Sequence, residues 1–248
     1  QRRLTAILTE QIRAKEERRK IMIGILSHIV EFRNGESGPH VQHINVLTQL
    51  LLGRLVQISD QYHLSWMDRD LIVMASSLHD IGKIGIDDKI LNKKGQLTDE
   101  EFEIMKQHTV IGVEILEDLQ YYQDEPLVKT AREICRWHHE RYDGRGYPDG
   151  LKGTDISLYA RIIAIADGYD VMNTNHSCRN SLPEASIIRE FRENSGTQFD
   201  PELTEIFLML LEEHRLDINS DYLHPENDLG FTAIENDINR FISNVMTT

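Results

Sequence analysis

Apolar residues recur every three or four positions along most of this 248-residue chain, and this spacing constrains the fold more than any other feature. One such stripe consists of Ile21, Ile25, Ile29 and Phe32. Further runs of this kind cover residues 41–58, 66–78, 127–138 and 158–172. A strand with one buried face would alternate every second residue instead, and sustained alternation is scarce here. The sequence therefore predicts an all-α protein.

Side chains that can cap a helix precede several predicted helices. A hydroxyl and a carboxylate lie three residues apart, as in a capping box, at Thr98 and Glu101, at Ser181 and Glu184, and at Thr232 and Glu235. Asp200, followed by Pro201, is a further predicted start. Residues 81–96 and 142–154 lack the helical pattern and are rich in glycine. They are either long surface loops or segments whose backbone approaches a ligand closely.

The pattern divides the chain into three parts. Residues 1–20 are predicted to form a connector, the first part of a long helix over 4–32. This connector is either a solvated helix or a signalling coiled coil. Residues 21–215 are predicted to form the folded domain, and 216–248 an extension with a short amphipathic helix at 233–245. Because the chain begins with Gln1 and not Met, we expect upstream domains in the full-length protein.

Composition excludes several classes of protein. A formal net charge of −14 argues against a broad positive surface that coats nucleic acid or anionic membrane. A small anionic ligand is compatible with it, because bound metal ions supply local positive charge. Cys135 and Cys178 are too few for a disulfide framework, so we expect a reducing, cytoplasmic location. No apolar run approaches the roughly 20 residues of a membrane-spanning helix.

Histidine and carboxylate residues lie beside the ends of the predicted helices. The pair His79-Asp80 follows an apolar helix and leads into Lys83. Imidazole binds borderline metals, an aspartate can bridge two ions, and a lysine can neutralise a phosphate oxygen. Since a His-Asp pair also arises by chance, this doublet alone does not identify a site.

A second doublet, His138-His139, closes another apolar helix. Adjacent helical side chains point about 100° apart, so both can be ligands only where two ions lie close together; a solvated pair at the helix end is the alternative. Asp167 directly follows an apolar run. If buried, its carboxylate needs a metal ion or an arginine as compensation.

Three further residues complete the set of candidate ligands. His108 is predicted to lie within the helix that starts after Thr98, while Glu36 and His40 flank a short turn after the first helix. Histidine and carboxylate without cysteine suit iron, manganese or similar ions better than a structural zinc site.

Taken in chain order, these segments resemble the HD-GYP family, a branch of the HD phosphohydrolases. The segments are Glu36-Ser-Gly-Pro-His40, His79-Asp80-Ile-Gly-Lys83, His108, His138-His139-Glu-Arg-Tyr-Asp-Gly-Arg-Gly146-Tyr147-Pro148, Ala166-Asp167 and Gly196-Thr-Gln-Phe-Asp-Pro201. The resemblance spans about residues 21–211 and implies an HD-superfamily helical bundle with a long N-terminal connector helix.

The same resemblance implies a cyclic di-GMP phosphodiesterase in which a metal-bridging hydroxide opens the substrate to linear pGpG, GMP or both. The implied metal ligands are Glu36, His40, His79, Asp80, His108, His138, His139 and Asp167. They would hold two or three divalent ions, with Fe or Mn expected. The implied catalytic residues are Asp80 and Lys83, and the implied substrate contacts are Lys83, Tyr147, His176 and Arg179.

Departures from the family concentrate on substrate recognition. His43 stands where an arginine is common, and His176-Ser-Cys-Arg179 replaces a stretch that usually reads Arg-Pro-Tyr followed by a basic residue. Because a histidine is fully charged only below its pKa of about 6.5, we expect weaker or pH-sensitive phosphate affinity. Two alternatives stay open: a phosphodiesterase for another cyclic dinucleotide, and a weakly active, metal-bound binding or relay module.

The resemblance also implies partners. They are cyclic di-GMP, an upstream sensor or receiver domain in a bacterial signalling protein, a diguanylate cyclase at the loop around Tyr147, and a second copy of the chain. We expect neither nucleic acid as a partner nor a membrane span in this segment.

Overall fold

The fold is known from a computed structural model that describes residues 2–34, 40–59, 61–174 and 181–214. Within these ranges there are ten α-helices and two short 3₁₀ helices, at Ile81–Gly85 and Gly153–Asp155. The α-helices are α1 (Arg2–Asn34), α2 (His40–Ile58), α3 (Trp66–Ser76), α4 (Asp88–Leu91), α5 (Asp99–Lys106), α6 (His108–Glu117), α7 (Pro126–Trp137), α8 (Leu158–Asn173), α9 (Glu184–Glu193) and α10 (Pro201–His214). No strand occurs in the described residues, and the all-α prediction is confirmed.

Two predicted helix starts are confirmed by their caps. The Thr98 hydroxyl accepts the backbone N–H of Glu101 at 3.3 Å, and the Glu101 carboxylate accepts that of Thr98 at 2.7 Å. At α10 the Asp200 carboxylate accepts the N–H groups of Glu202 and Leu203, at 2.8 and 3.2 Å. Both caps satisfy N–H groups that have no partner within their own helix.

Other local predictions were wrong. The side-chain cap predicted at Ser181 is not formed at the start of α9. The helix begins at Glu184, and the residue before it is Pro183, whose φ of −59° is already suitable for a helix start. The single helix predicted from Thr98 through His108 is two helices. The Gln107 N–H bonds to the Ile104 carbonyl, three residues back, and His108 is the first residue of α6.

The core lies between α2, α3, α7, α8 and α10, whose apolar faces pack against one another. Its fully buried side chains include Leu51, Ile72, Ile134, Ile163 and Phe207. Each such side chain stabilises the fold by roughly 1.5–3 kcal/mol relative to an exposed one. This packing brings the ends of α3 and α7, the start of α2 and the middle of α8 to a common region of the molecule.

Helix α1 runs without interruption through residue 20, where the connector was predicted to end. It contacts the bundle through a Lys20–Asp70 ion pair at 2.5 Å and through the Ser27 hydroxyl, which donates to the Ser77 carbonyl at 2.7 Å. The predicted apolar stripe faces away from the bundle, and Phe32 is 79% exposed. None of the helices in the described ranges is long and apolar enough to cross a bilayer.

Some predictions concern residues outside the described ranges. They are the ligand Glu36, the substrate contacts His176 and Arg179, the Thr232–Glu235 cap, and the extension at 216–248 with its helix at 233–245. The three-part division of the chain stays a prediction.

Candidate metal centre

The structure brings seven of the eight predicted metal ligands together, six of them at the ends of helices and Asp167 in the middle of α8. His40 begins α2 and His108 begins α6, while the doublets at 79–80 and 138–139 lie in the turns that follow α3 and α7. The rings of the two adjacent histidines, His138 and His139, lie only 4.0 Å apart between centroids. Because the helix has ended, the expected 100° divergence of helical neighbours does not separate them.

Asp80 occupies the middle of this cluster. Its Oδ1 lies 3.4 Å from His108 Nε2 and 3.7 Å from His138 Nε2, and its Oδ2 lies 3.3 Å from His79 Nε2. Two groups with metal-ligand geometry share this residue: Asp80 with His108, His138 and His139, and Asp80 with His40 and His79. A carboxylate with one oxygen towards each group has the position of a ligand that bridges two ions.

Backbone carbonyls orient three of the imidazoles. The Nδ1 atoms of His79, His108 and His138 lie 2.9, 2.7 and 2.9 Å from the carbonyl oxygens of Ser76, Met105 and Ile134. Because a carbonyl oxygen can only accept a hydrogen bond, each Nδ1 is the donor. The Nε2 atoms then face Asp80 with a free lone pair, as a metal ligand requires.

The interior of the cluster fits divalent metal ions. Among the described residues, the buried atoms His79 Nε2 and Asp80 Oδ1 have no hydrogen-bond partner. Such a pair is unfavourable when left unsatisfied, whereas a cation satisfies both atoms. The donor set of imidazole and carboxylate is also one that binds divalent ions.

The electrostatics put Asp80 and two of the imidazoles in their binding forms, whereas at His79 the Asp80 carboxylate outweighs burial and raises the pKa of the imidazole. Burial lowers the pKa of His108 to about 4 and that of His139 well below its ordinary value. Both imidazoles are therefore neutral at pH 7, as ligation requires. Burial opposes ionisation of Asp80, but the positive charge of Lys83, whose Nζ lies 2.6 Å away, outweighs it and holds the pKa of Asp80 well below its usual range.

Asp170 is a site residue that sequence reasoning missed. This buried carboxylate accepts hydrogen bonds from His40 Nδ1 at 2.7 Å and from His43 Nδ1 at 2.6 Å. His40 Nε2 then lies 3.8 Å from Asp167 Oδ1. Asp167 and Asp170 are three residues apart in α8 and hence on one helix face, which is the signal that could have identified the second carboxylate. His43, predicted to bear on substrate recognition, is buried against Asp170.

The first glycine-rich segment approaches a neighbouring helix more closely than another residue would allow. A Cβ atom on Gly82 would lie 1.9 Å from the carbonyl oxygen of His108. Only glycine therefore lets the 3₁₀ helix Ile81–Gly85 pack against the start of α6. This contact holds Asp80 and Lys83 beside His108.

The second glycine-rich segment is also folded against the centre. The Glu140 carboxylate accepts the N–H groups of Asp149, Gly150 and Leu151, at 2.7, 3.0 and 3.1 Å. This arrangement places the Tyr147 ring 4.9 Å from that of His139, between centroids. Tyr147 thereby covers one side of the histidine cluster.

Several known proteins are similar to this chain in sequence. A family model described as an HD domain matches residues 39–203. The chain is 41% identical over 192 residues to a cyclic di-GMP phosphodiesterase of Thermotoga maritima, covering 77% of this chain and 49% of that protein. It is 36% identical over 192 residues to 3′3′-cGAMP-specific phosphodiesterase 2 of Vibrio cholerae, covering 77% of this chain and 35% of that protein.

Solved structures show the same fold. A cyclic GMP-AMP specific phosphodiesterase of V. cholerae superposes with a TM-score of 0.56 at 19% identity, covering 79% of this chain and 49% of that one. A protein of Bdellovibrio bacteriovorus described as HDG"Y"P superposes with a TM-score of 0.52 at 18% identity, covering 70% of this chain and 51% of that one. The chain thus spans half or less of the length of the two relatives named above. It belongs to the HD-domain family.

Proposed function

We propose that this chain is a metal-dependent phosphodiesterase that hydrolyses cyclic di-GMP to linear pGpG, GMP or both. The observation that carries the proposal is Asp80, which two groups of imidazoles share at distances of 3.3 to 3.7 Å. Such a pair of adjacent metal sites is suited to in-line displacement at phosphorus. The name of the T. maritima relative supports the substrate.

The proposed ligands divide between two ions. His40, His79 and Asp80 would hold one, and Asp80 with His108, His138 and His139 the other. Asp167 lies beside His40 and would add a ligand there. Glu36, also a predicted ligand, would serve a third ion. We expect Fe or Mn, because the donors are imidazole and carboxylate. When bound, the ions supply Lewis acidity and a nucleophilic water near neutral pH.

Two protein side chains have proposed roles towards the phosphate. Lys83, held beside Asp80, carries positive charge that stabilises the phosphoryl oxygens in the transition state. Burial raises the pKa of Tyr147 above its ordinary value, so its hydroxyl stays protonated and can donate a hydrogen bond to the substrate. His176 and Arg179 stay predicted contacts to the substrate.

A second candidate is hydrolysis of 3′3′-cGAMP. Similarity to proteins named for that substrate favours it, as do the departures from the family at His43 and His176. The third candidate, a metal-bound relay module with little turnover, is disfavoured because seven candidate ligands are grouped in one cluster.

The partners follow from the proposed activity. We expect a cytoplasmic output domain controlled by an upstream sensor or receiver domain. The exposed stripe on α1 is the proposed dimer contact, and the loop around Tyr147 the proposed contact for a diguanylate cyclase.

The first experiment is product formation from cyclic di-GMP and 3′3′-cGAMP by protein purified without oxygen, with metal content determined on the same sample. Hydrolysis of cyclic di-GMP with two or more ions per chain supports the proposal. Faster turnover of 3′3′-cGAMP favours the second candidate, and a metal-loaded protein inactive on both favours the relay module. His108→Ala should lose metal and activity, while His63→Ala, at an exposed histidine outside the centre, should keep both.

A further inference from the structure

The rim of the centre carries a group of side chains that the metal chemistry does not use. Phe102 and Lys106 lie one turn apart on α5, and hence on the same face. Lys106 Nζ lies 5.0 Å from the Phe102 ring centroid and 5.5 Å from that of Tyr147. The Phe102 and Tyr147 rings meet nearly at right angles, with centroids 6.2 Å apart. Through Tyr147 this rim adjoins His139 and the centre.

Core packing does not explain the position of Phe102. Helix α5 buries none of its residues, and Phe102 is 44% exposed. The capping box at Thr98 nevertheless fixes the start of the helix, so the ring is held in a defined place. An exposed aromatic ring beside a binding centre offers a π face on which a nucleobase can stack.

Lys106 supplies positive charge in a chain whose net charge is negative. The net charge is −14, and a cyclic dinucleotide is itself anionic because it carries two phosphates. Lys83 lies against Asp80 in the centre, while Lys106 forms an ion pair at 2.5 Å with Glu103, whose side chain is 67% exposed. Exposed ion pairs of this kind contribute little, so Lys106 can exchange Glu103 for a phosphate.

We propose that Phe102 and Lys106 form a subsite for the nucleotide whose phosphodiester is not being cleaved. The base stacks on Phe102, and Lys106 pairs with the second phosphate. This inference rests on the proposed function and adds to it residues that determine substrate affinity. In this arrangement the centre acts on one phosphate while α5 holds the other half of the substrate.

The kinetic test separates binding from chemistry. Phe102→Ala should raise KM for cyclic di-GMP about ten-fold, the size of a lost base-stacking contact, with kcat within two-fold and metal content unchanged. Phe102→Trp should restore KM. Lys106→Gln should also raise KM, and Lys106→Arg should largely preserve it. Ile104→Ala, on the same helix and 46% exposed, is the matched control and should leave KM unchanged.

A binding test does not depend on turnover. GMP and ribose 5-phosphate, which carries the phosphate without the base, are titrated into the metal-loaded protein. Phe102→Ala should weaken the binding of GMP but not of ribose 5-phosphate, and Lys106→Gln should weaken the binding of both ligands.

The outcomes distinguish the two levels of the proposal. If the wild type cleaves no cyclic dinucleotide, the proposed function fails, and the GMP titration still tests the subsite. If the wild type cleaves cyclic di-GMP while Phe102→Ala keeps its KM, the subsite is overturned. A fall in kcat or metal content in Phe102→Ala, with KM unchanged, would mean that Phe102 only supports Tyr147 and would overturn it as well.

Discussion

His108 and His40, on opposite sides of Asp80, are oriented in different ways. His108 donates its Nδ1 proton to the carbonyl of Met105, three residues away, whereas His40 donates to the side chain of Asp170, 130 residues away. A carbonyl at a helix junction is supplied by the local backbone, but the Asp170 contact exists only when α2 packs against α8. In one half of the centre His108 is therefore oriented locally, whereas in the other half the orientation of His40 depends on a long-range contact.

Loss of the shared ligand should have the largest effect. Asp80→Ala removes the oxygen that faces each half, so we expect both metal loading and hydrolysis to be abolished. Metal analysis and product assays on the same sample check this, with Asp118→Ala, an exposed aspartate, as the control. Full metal content in the Asp80 variant would contradict the bridging role.

Lys83→Ala should leave metal ions bound in both halves of the centre and slow the hydrolysis. Removing one group that stabilises transition-state charge lowers kcat on the order of 100-fold, and the metal content should equal that of the wild type. Lys89→Ala, at an exposed lysine nearby, is the control. Turnover at the wild-type rate would show that Lys83 does not contact the scissile phosphate.

Asp170→Asn tests the long-range half directly. An amide nitrogen cannot accept a hydrogen bond, so one of the two imidazoles on Asp170 loses its acceptor. Loss of such an orienting partner typically costs about 10- to 100-fold in metal affinity. A metal titration should therefore show one weakened site and one unchanged site. Equal weakening of both sites would mean that the two halves are not independent.

The smallest expected effect is on the pH dependence of the stability of the metal-free protein. Because burial lowers the pKa of His108 to about 4, the unfolded chain binds a proton between about pH 4 and 6.5 that the folded chain does not. Stability should therefore fall as the pH decreases through this window. His108→Gln should reduce the slope, as measured by urea unfolding at several pH values, and identical slopes would contradict the burial argument.

Much of the local structure could be predicted because its causes are local. The Thr98 and Asp200 caps involve residues within three positions of one another, and the apolar spacing predicted the helices. The exposed stripe on α1 shows the limit of that reasoning, since spacing identifies an apolar face without its partner. Within the described residues the bundle buries Ile23 and Val30 of α1 instead.

The sequence by itself determined the helical class and the set of histidine and aspartate residues that are candidate ligands, because periodicity, capping and residue chemistry are properties of short segments. Only the tertiary structure decided that Asp80 lies between the two groups, that Asp170 holds His40 and His43, and that Phe102 reaches the rim beside Tyr147. These contacts join residues far apart in the chain, and they arise from how the helices pack.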